Sequence, residues 1–156
     1  MAVFYLETSA LLKRYKNEVG TQVVDSLFAD RPPGDTFLTS RLTLVEIPAG
    51  VARAFAGGLE TRNGILVSFA ADLRMIEVSE VSLNILQGAA TAATQFRLRA
   101  LDSIHLAVAR DAFTREPSII LVTADKELVA AGRAAGLAVL DPAEPDAMEA
   151  LARLRA

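Results

Sequence analysis

Short apolar segments alternate along this chain with longer stretches that have helical periodicity. Two of these segments, residues 3–6 and 119–122, are rich in β-branched and aromatic or wholly apolar residues. Segments that are apolar throughout are typical of strands buried on both faces, and helices between such strands provide the crossovers of a parallel sheet. The alternation therefore predicts an α/β fold, with a central parallel sheet covered by helices on both faces.

The strand and helix boundaries follow from the apolar patterns and from the turn residues between them. Strands are predicted at residues 3–6, 36–39, 75–78, 119–122 and 138–140. Helices are predicted at residues 10–15, 20–28, 41–55, 61–73, 101–113, 124–134 and 146–155, with one more running from Ser79 or Ser82 to about Arg97. The hydroxyls of Thr8 and Ser9 are expected to cap the first helix. Pro48 predicts either a kink in the helix at 41–55 or a helix that begins only a turn before it.

Length and composition limit the possible classes of protein. The chain has 156 residues, so we expect one domain, residues 1–156. The 16 basic and 19 acidic residues give a formal charge of −3, which provides no global attraction to nucleic acid. The absence of cysteine excludes disulfides, thiolate zinc sites and cysteine nucleophiles. With neither a signal peptide pattern nor an apolar run of membrane-spanning length, we expect a soluble, cytoplasmic protein.

Four acidic residues are candidates for chemistry. Glu7 and Asp125 follow predicted strands, where sites of parallel α/β folds lie, whereas Glu46 and Asp102 lie in apolar helical patterns. Each also has a structural explanation: an acid can cap a helix, favour a helix N-terminus or pair with an arginine. If the four converge, their carboxylates repel one another and need a hard divalent cation such as Mg²⁺ or Mn²⁺.

Four sequence blocks carry a specific resemblance to a known family. They are FYLETSALLK at 4–13, LTLVE at 42–46, LRALDSIHLA at 98–107 and VTADKEL at 122–128. In this order and spacing they resemble the PIN domain family and, within it, the VapC toxins of bacterial toxin–antitoxin pairs. The resemblance implies a PIN-like α/β/α sandwich and a Mg²⁺- or Mn²⁺-dependent endoribonuclease that hydrolyses RNA phosphodiester bonds. It also implies the site residues, which are Glu7, Glu46, Asp102 and Asp125 as catalytic metal ligands and Thr123 as a hydroxyl that orients the site or its water.

The resemblance has consequences for partners. It implies a VapB-like antitoxin, one segment of which occupies the acidic cleft, and a homodimer. Such contacts require exposed apolar surface, which we expect on the helices at 20–28 and 41–55. Lys13, Arg14 and Arg99 are candidates for contacts with RNA phosphates, although such charges are usually only solvated. The single histidine, His105, is expected to be a packing residue rather than a ligand or base.

Glu7 departs from the pattern of the family, in which the first acid is normally aspartate. Glutamate is still an oxygen ligand, but its longer arm displaces the carboxylate, and Mg²⁺ requires near-ideal octahedral geometry. A displacement of about 1 Å at a catalytic centre can cost roughly a hundredfold in rate. The alternative hypothesis is therefore a catalytically weakened PIN-fold module that binds RNA or protein without cleaving it.

Overall fold

The computed structural model of the protein, which describes residues 2–156, contains one five-stranded parallel sheet. Its strands are β1 (Val3–Leu6), β2 (Thr36–Ser40), β3 (Ile76–Ser79), β4 (Ile119–Val122) and β5 (Ala138–Leu140). Their order in the sheet is β3-β2-β1-β4-β5, so β1 is central and is followed along the chain by its neighbour β2. The chain reaches β4, on the other side of β1, only after β3. The direction of strand addition thus reverses beside β1, where ligand sites of open α/β sheets lie.

Helices connect the strands and cover both faces of the sheet. They are α1 (Thr8–Leu12), α2 (Thr21–Ala29), α3 (Thr43–Ala54), α4 (Leu59–Asp72), α5 (Leu83–Phe96), α6 (Ala100–Arg115), α7 (Lys126–Ala134) and α8 (Ala147–Arg155). A 3₁₀ turn at Leu73–Met75 joins α4 to β3. The α/β/α sandwich predicted from the sequence is confirmed. Within residues 2–156, no helix combines the length and apolar character that crossing a bilayer demands.

The two faces of the sheet have separate hydrophobic cores, because successive strand residues point to opposite sides. In β1, Phe4 and Leu6 join the core formed with α1–α4 and α8, whereas Tyr5 joins the core formed with α5–α7. All three side chains are fully buried. Burial on both faces explains why β1 and β4 are apolar without alternation.

Among the predicted helix starts that differ from the structure, those of α1 and α3 involve side-chain contacts. The helix predicted at 10–15 is the shorter α1, and its first turn is capped by the carboxylate of Glu7, which accepts a hydrogen bond from the Ser9 amide at 3.0 Å. The helix predicted at 41–55 is α3, which begins at Thr43, and the hydroxyl of Ser40, the last residue of β2, accepts from the Leu42 amide at 3.1 Å. Helix α3 begins just over one turn before Pro48, which is one of the two alternatives predicted from the sequence.

Candidate active site

Glu7 and Thr123 lie side by side at the carboxyl edge of the sheet. They directly follow β1 and β4, whose last residues are paired in register. The Thr123 hydroxyl donates to the Glu7 carboxylate at 2.8 Å, and the same carboxylate accepts from the amide and the hydroxyl of Ser9. Glu7 is only 4% exposed, so these three donors offset the cost of removing its charge from water. The Glu7 carboxylate is therefore held in a fixed position at the carboxyl edge of the sheet.

Glu46 lies in the first turn of α3 and is held by two side chains. The Thr8 hydroxyl donates to its Oε1 at 2.9 Å, and Nε2 of His105 lies 2.7 Å from the same oxygen. His105 is fully buried, and its other ring nitrogen, Nδ1, lies 2.7 Å from the hydroxyl of Tyr5. The histidine therefore links the core of the sheet to the carboxylate at its edge.

The protonation of Tyr5 defines the direction of these hydrogen bonds. Burial raises the pKa of Tyr5 well above its ordinary value of 10.0, and the nearby charges of Glu7 and Glu46 raise it further. Tyr5 is thus a hydrogen-bond donor, and Nδ1 of His105 accepts, which leaves Nε2–H to donate to Glu46. Burial raises the pKa of Glu46, but the interaction with His105 and the hydrogen bond from Thr8 outweigh this effect, so the net pKa is lowered. Glu46 is therefore a carboxylate at neutral pH.

Asp102 and Asp125 are joined by an arginine. Asp102 lies in the first turn of α6, and Asp125 is the N-cap of α7, where its Oδ1 accepts from the Leu128 amide at 3.0 Å. Nε of Arg99 lies 2.9 Å from Oδ2 of Asp102, and Nη2 of Arg99 lies 3.1 Å from Oδ2 of Asp125. Asp125 thus caps α7 through Oδ1, which is one of the structural roles expected for an acid, while its second oxygen, Oδ2, binds Arg99 at the cleft.

All four acids line one cleft of about 580 Å³. Three of them lie at or next to the N-termini of α3, α6 and α7, whose dipoles favour negative charge. The side chains of Glu46 and Asp125 are each 23% exposed and that of Asp102 is 13% exposed, so they are accessible from the cleft. Carboxylate oxygens are the ligands that Mg²⁺ and Mn²⁺ prefer, so the donor set fits such an ion.

The carboxylates are nevertheless engaged with protein groups. Across residues 2–156, no three Asp, Glu, His or Cys side chains are grouped closely enough to hold a metal ion as they stand. Arg99 spans Asp102 and Asp125, while Ser9 and Thr123 hold Glu7. Binding of a cation by several of these acids requires side-chain rearrangement, and Arg99 is the exposed group that must move.

The basic residues predicted to contact RNA are in three different environments. Arg99 lines the cleft. Lys13 lines an adjoining cavity and pairs with Glu18 at 3.1 Å. Arg14 lies in a separate cavity, where Nε and Nη2 bond both oxygens of Asp72. The structure therefore brings Arg99 to the acids and Lys13 near them, but not Arg14.

Comparison with protein families matches residues 4–134 to the PIN domain. The chain belongs to the PIN domain family. It is 34% identical over 142 residues to Ribonuclease VapC35 of Mycobacterium tuberculosis, a match that covers 91% of this chain and 98% of the relative. The resemblance predicted from the four sequence blocks is confirmed.

Solved structures of low sequence identity share the fold of this PIN domain. VapC20 of Mycobacterium tuberculosis, described as a sarcin–ricin loop cleaving toxin, is 17% identical with a TM-score of 0.63, over 83% of this chain and 95% of that one. VapBC-1 of nontypeable Haemophilus influenzae is 14% identical with a TM-score of 0.65, over 91% of this chain and 99% of that one. At these identities the comparison supports the architecture of the chain.

Proposed function

We propose that this PIN domain protein is a metal-dependent endoribonuclease and the toxin of a VapBC-type toxin–antitoxin pair. The observation that carries the proposal is the convergence of Glu7, Glu46, Asp102 and Asp125 on one cleft at the carboxyl edge of β1 and β4. The identity with Ribonuclease VapC35 over nearly its whole length supports the same reaction. RNA phosphodiesters are then the substrate class.

Each side chain of the cleft has a role in this proposal. Glu46, Asp102 and Asp125, with Glu7, would hold Mg²⁺ or Mn²⁺, which when bound activates water and stabilises the negative charge that develops on the phosphate. His105 and Thr8 fix the Glu46 carboxylate. Thr123 orients Glu7 through its hydroxyl, together with Ser9. Because His105, Thr8 and Thr123 are buried, they hold the carboxylates of Glu46 and Glu7 in fixed positions.

Basic residues near the cleft would bind the RNA backbone. Arg99 at the rim of the cleft is suitably placed to contact phosphates. Lys13 in the adjoining cavity is buried, and its Nζ bonds Glu18 and the Val19 carbonyl, so it would have to leave these partners to contact RNA. Arg53 lines both cavities and is exposed, so it connects the acidic cleft to the position of Lys13. Arg14, engaged by Asp72, is not expected to contribute.

We further propose that the chain acts as a single domain in the cytoplasm, forms a homodimer and binds a VapB-like antitoxin. Apolar side chains at the cleft support a protein partner: Val45 of α3 is 72% exposed and Leu101 of α6 is 47% exposed. Large exposed apolar groups are typical of interaction surfaces. By contrast, α2 directs Val23, Val24 and Leu27 into the core, so α3 is the better candidate of the two helices considered from the sequence.

A second candidate function is an RNA- or protein-binding module without nuclease activity. It is favoured by the contacts of Glu7, whose carboxylate is taken up by Ser9 and Thr123, and by Arg99, which spans two of the other acids. If these contacts persist in solution at saturating metal, the acids are not available as ligands. The two candidates differ in whether the protein cleaves RNA when a divalent cation is present.

An RNA cleavage assay with Mg²⁺, Mn²⁺ or EDTA tests the proposal. Asp102→Asn is expected to abolish cleavage, because it removes a charged ligand but preserves shape, and Asp111→Asn is the matched control on the exposed side of α6.

Glu7→Asp is expected to raise Mg²⁺-dependent cleavage roughly 10- to 100-fold by restoring the shorter arm. A smaller gain is expected with Mn²⁺. Cleavage that resists EDTA and survives Asp102→Asn contradicts the metal mechanism, and no cleavage by any variant favours the binding module.

A further inference from the structure

Arg99 occupies a distinctive position in the cleft. It bonds the cleft-facing Oδ2 of both Asp102 and Asp125 through two different guanidinium nitrogens. Because Oδ1 of Asp125 already caps α7, its Oδ2 is the oxygen left for a cation, and Arg99 occupies it. The guanidinium and a divalent ion therefore compete for Oδ2 of Asp125 and for the negative charge of both carboxylates.

The positive charge of Arg99 offsets the repulsion between two nearby carboxylates. Two carboxylates that face one cleft repel each other, and a positive group between them removes the repulsion. The hydrogen bond that Arg99 donates to Asp102, followed by the charges of Asp102 and Asp125, raises the pKa of Arg99, so the guanidinium stays charged. Arg99 thus neutralises the same two carboxylates that a bound metal ion would neutralise.

We propose that Arg99 is an internal counter-cation, which neutralises Asp102 and Asp125 until a divalent cation displaces it. The inference rests on the proposed function, because it takes these two acids as metal ligands. It assigns to Arg99 control over metal affinity, in addition to the phosphate contact expected from the sequence. In the displaced state, the guanidinium remains at the rim of the cleft, since its backbone directly precedes α6.

The local structure allows the side chain to move while the backbone stays in place. The Arg99 side chain is 73% exposed, so it can leave the carboxylates without disrupting a core. The preceding residue, Leu98, is 8% exposed and belongs to the core formed with α5–α7, so it anchors the connection between these helices. Displacement therefore requires rotation of one exposed side chain and no refolding.

Arg97 provides a matched control. It lines the rim beside Asp125 and Lys126, is exposed, and carries the same charge two residues away. It adopts a left-handed conformation with φ of 55°, and alanine would keep this backbone strain because it also has a Cβ. Arg97→Ala and Arg99→Ala therefore remove equal charge from the same rim, but only Arg99→Ala removes the bridge between the two acids.

Titration of the metal-depleted full-length protein with Mn²⁺, followed by electron paramagnetic resonance of the free ion, tests the inference. Arg99→Ala is expected to bind Mn²⁺ roughly 2- to 10-fold more tightly than the parent, as loss of a competing, partly exposed ion pair allows. Arg97→Ala is expected to change the affinity less, because it alters only the long-range field. Equal or weaker binding by Arg99→Ala, relative to Arg97→Ala, overturns the inference.

Thermal unfolding of the same proteins gives an independent readout. In EDTA, Arg99→Ala is expected to melt below the parent, because the two carboxylates lose their counter-charge. At saturating Mn²⁺ this difference should close, since tighter binding to the folded variant offsets the loss. A difference that stays the same with and without Mn²⁺ contradicts displacement. If no variant binds Mn²⁺, the proposed function fails as well, whereas equal binding by all three proteins leaves that function intact and overturns only the role of Arg99.

Discussion

The substitution Tyr5→Phe removes one buried hydroxyl from the network that supports Glu46. Tyr5 is fully buried in the central strand, so phenylalanine keeps the ring in the core and changes little besides the hydrogen bond. That bond joins the hydroxyl to Nδ1 of His105 at 2.7 Å. Thr8 also approaches His105, but at 3.5 Å and at the other nitrogen, so it cannot replace the lost donor.

The expected cost follows from the buried acceptor that remains. Without Tyr5 as a donor, Nδ1 of His105 is left unsatisfied, which costs about 1–3 kcal/mol. For a chain of this size, each kcal/mol corresponds to about 2–4 °C, so the melting temperature should fall by roughly 2–12 °C. Moving the histidine proton to Nδ1 does not restore the bond, because the buried Nδ1–H would lack an acceptor and Nε2 would no longer donate to Glu46.

Tyr15→Phe is the matched control for this prediction. Its hydroxyl donates to Asp72 at 2.7 Å, but Arg14 bonds both oxygens of the same carboxylate, so no acceptor is left unpaired. Its loss should cost only about 0.5–1.5 kcal/mol. Urea unfolding gives the two free energies, and ¹⁵N NMR of the single histidine reports its tautomer. If Tyr5→Phe is no more destabilising than Tyr15→Phe, or if the histidine of the parent protein carries its proton on Nδ1 and not on Nε2, the assigned network is wrong.

Two further predictions concern stability. The folded-state pKa of Glu46 lies below its ordinary value of 4.5, so its contribution to stability is complete above pH 4.5 and is lost as pH falls through the folded-state value. The free energy of unfolding of Glu46→Gln should therefore be lower than that of the parent at pH 7 and should approach it in acid. A difference in urea unfolding that does not change with pH contradicts this prediction. Gly132→Ala should cost about 1–3 kcal/mol, because a Cβ would lie 2.8 Å from Leu121 Cδ2. Gly64→Ala should stabilise α4 by about 0.5–1 kcal/mol, since among residues 2–156 its Cβ would have no heavy atom within 4 Å beyond its chain neighbours and the adjacent backbone of α4. Thermal unfolding of this pair checks the packing of α7 on β4, and equal effects refute it.

The sequence was sufficient to predict the five strands and the sheet edge where the acids meet. Segments that are apolar throughout, such as 119–122, must be buried on both faces, so the pattern predicts them as strands of the central sheet. Once the strands were assigned, the positions of Glu7 and Asp125 followed, because parallel strands bring their carboxyl ends to one edge. Convergence of Glu46 and Asp102 on this edge depended on the resemblance to the PIN domain family, since neither residue follows a strand.

The hydrogen-bond network of the site was not predictable from the pattern. Tyr5 lies in an apolar strand and His105 in an apolar helix, so both have the pattern of core residues, and indeed both are buried. Their polar atoms meet only because β1 packs against α6, a contact between residues 100 positions apart in sequence. The cap formed by Glu7 was one of two alternatives open from the sequence, because Thr8 and Ser9 also offer hydroxyls that can cap the first helix, and only the structure distinguishes them.

In the proposed mechanism, the acids of the cleft share a divalent cation. Anomalous diffraction from crystals of the protein grown with Mn²⁺ locates this ion without reference to activity. We expect a Mn²⁺ peak in direct contact with carboxylate oxygens of Asp102 and Asp125, with the Arg99 guanidinium withdrawn from both. A peak outside the cleft at saturating Mn²⁺, with Arg99 still bridging the two aspartates, would contradict it.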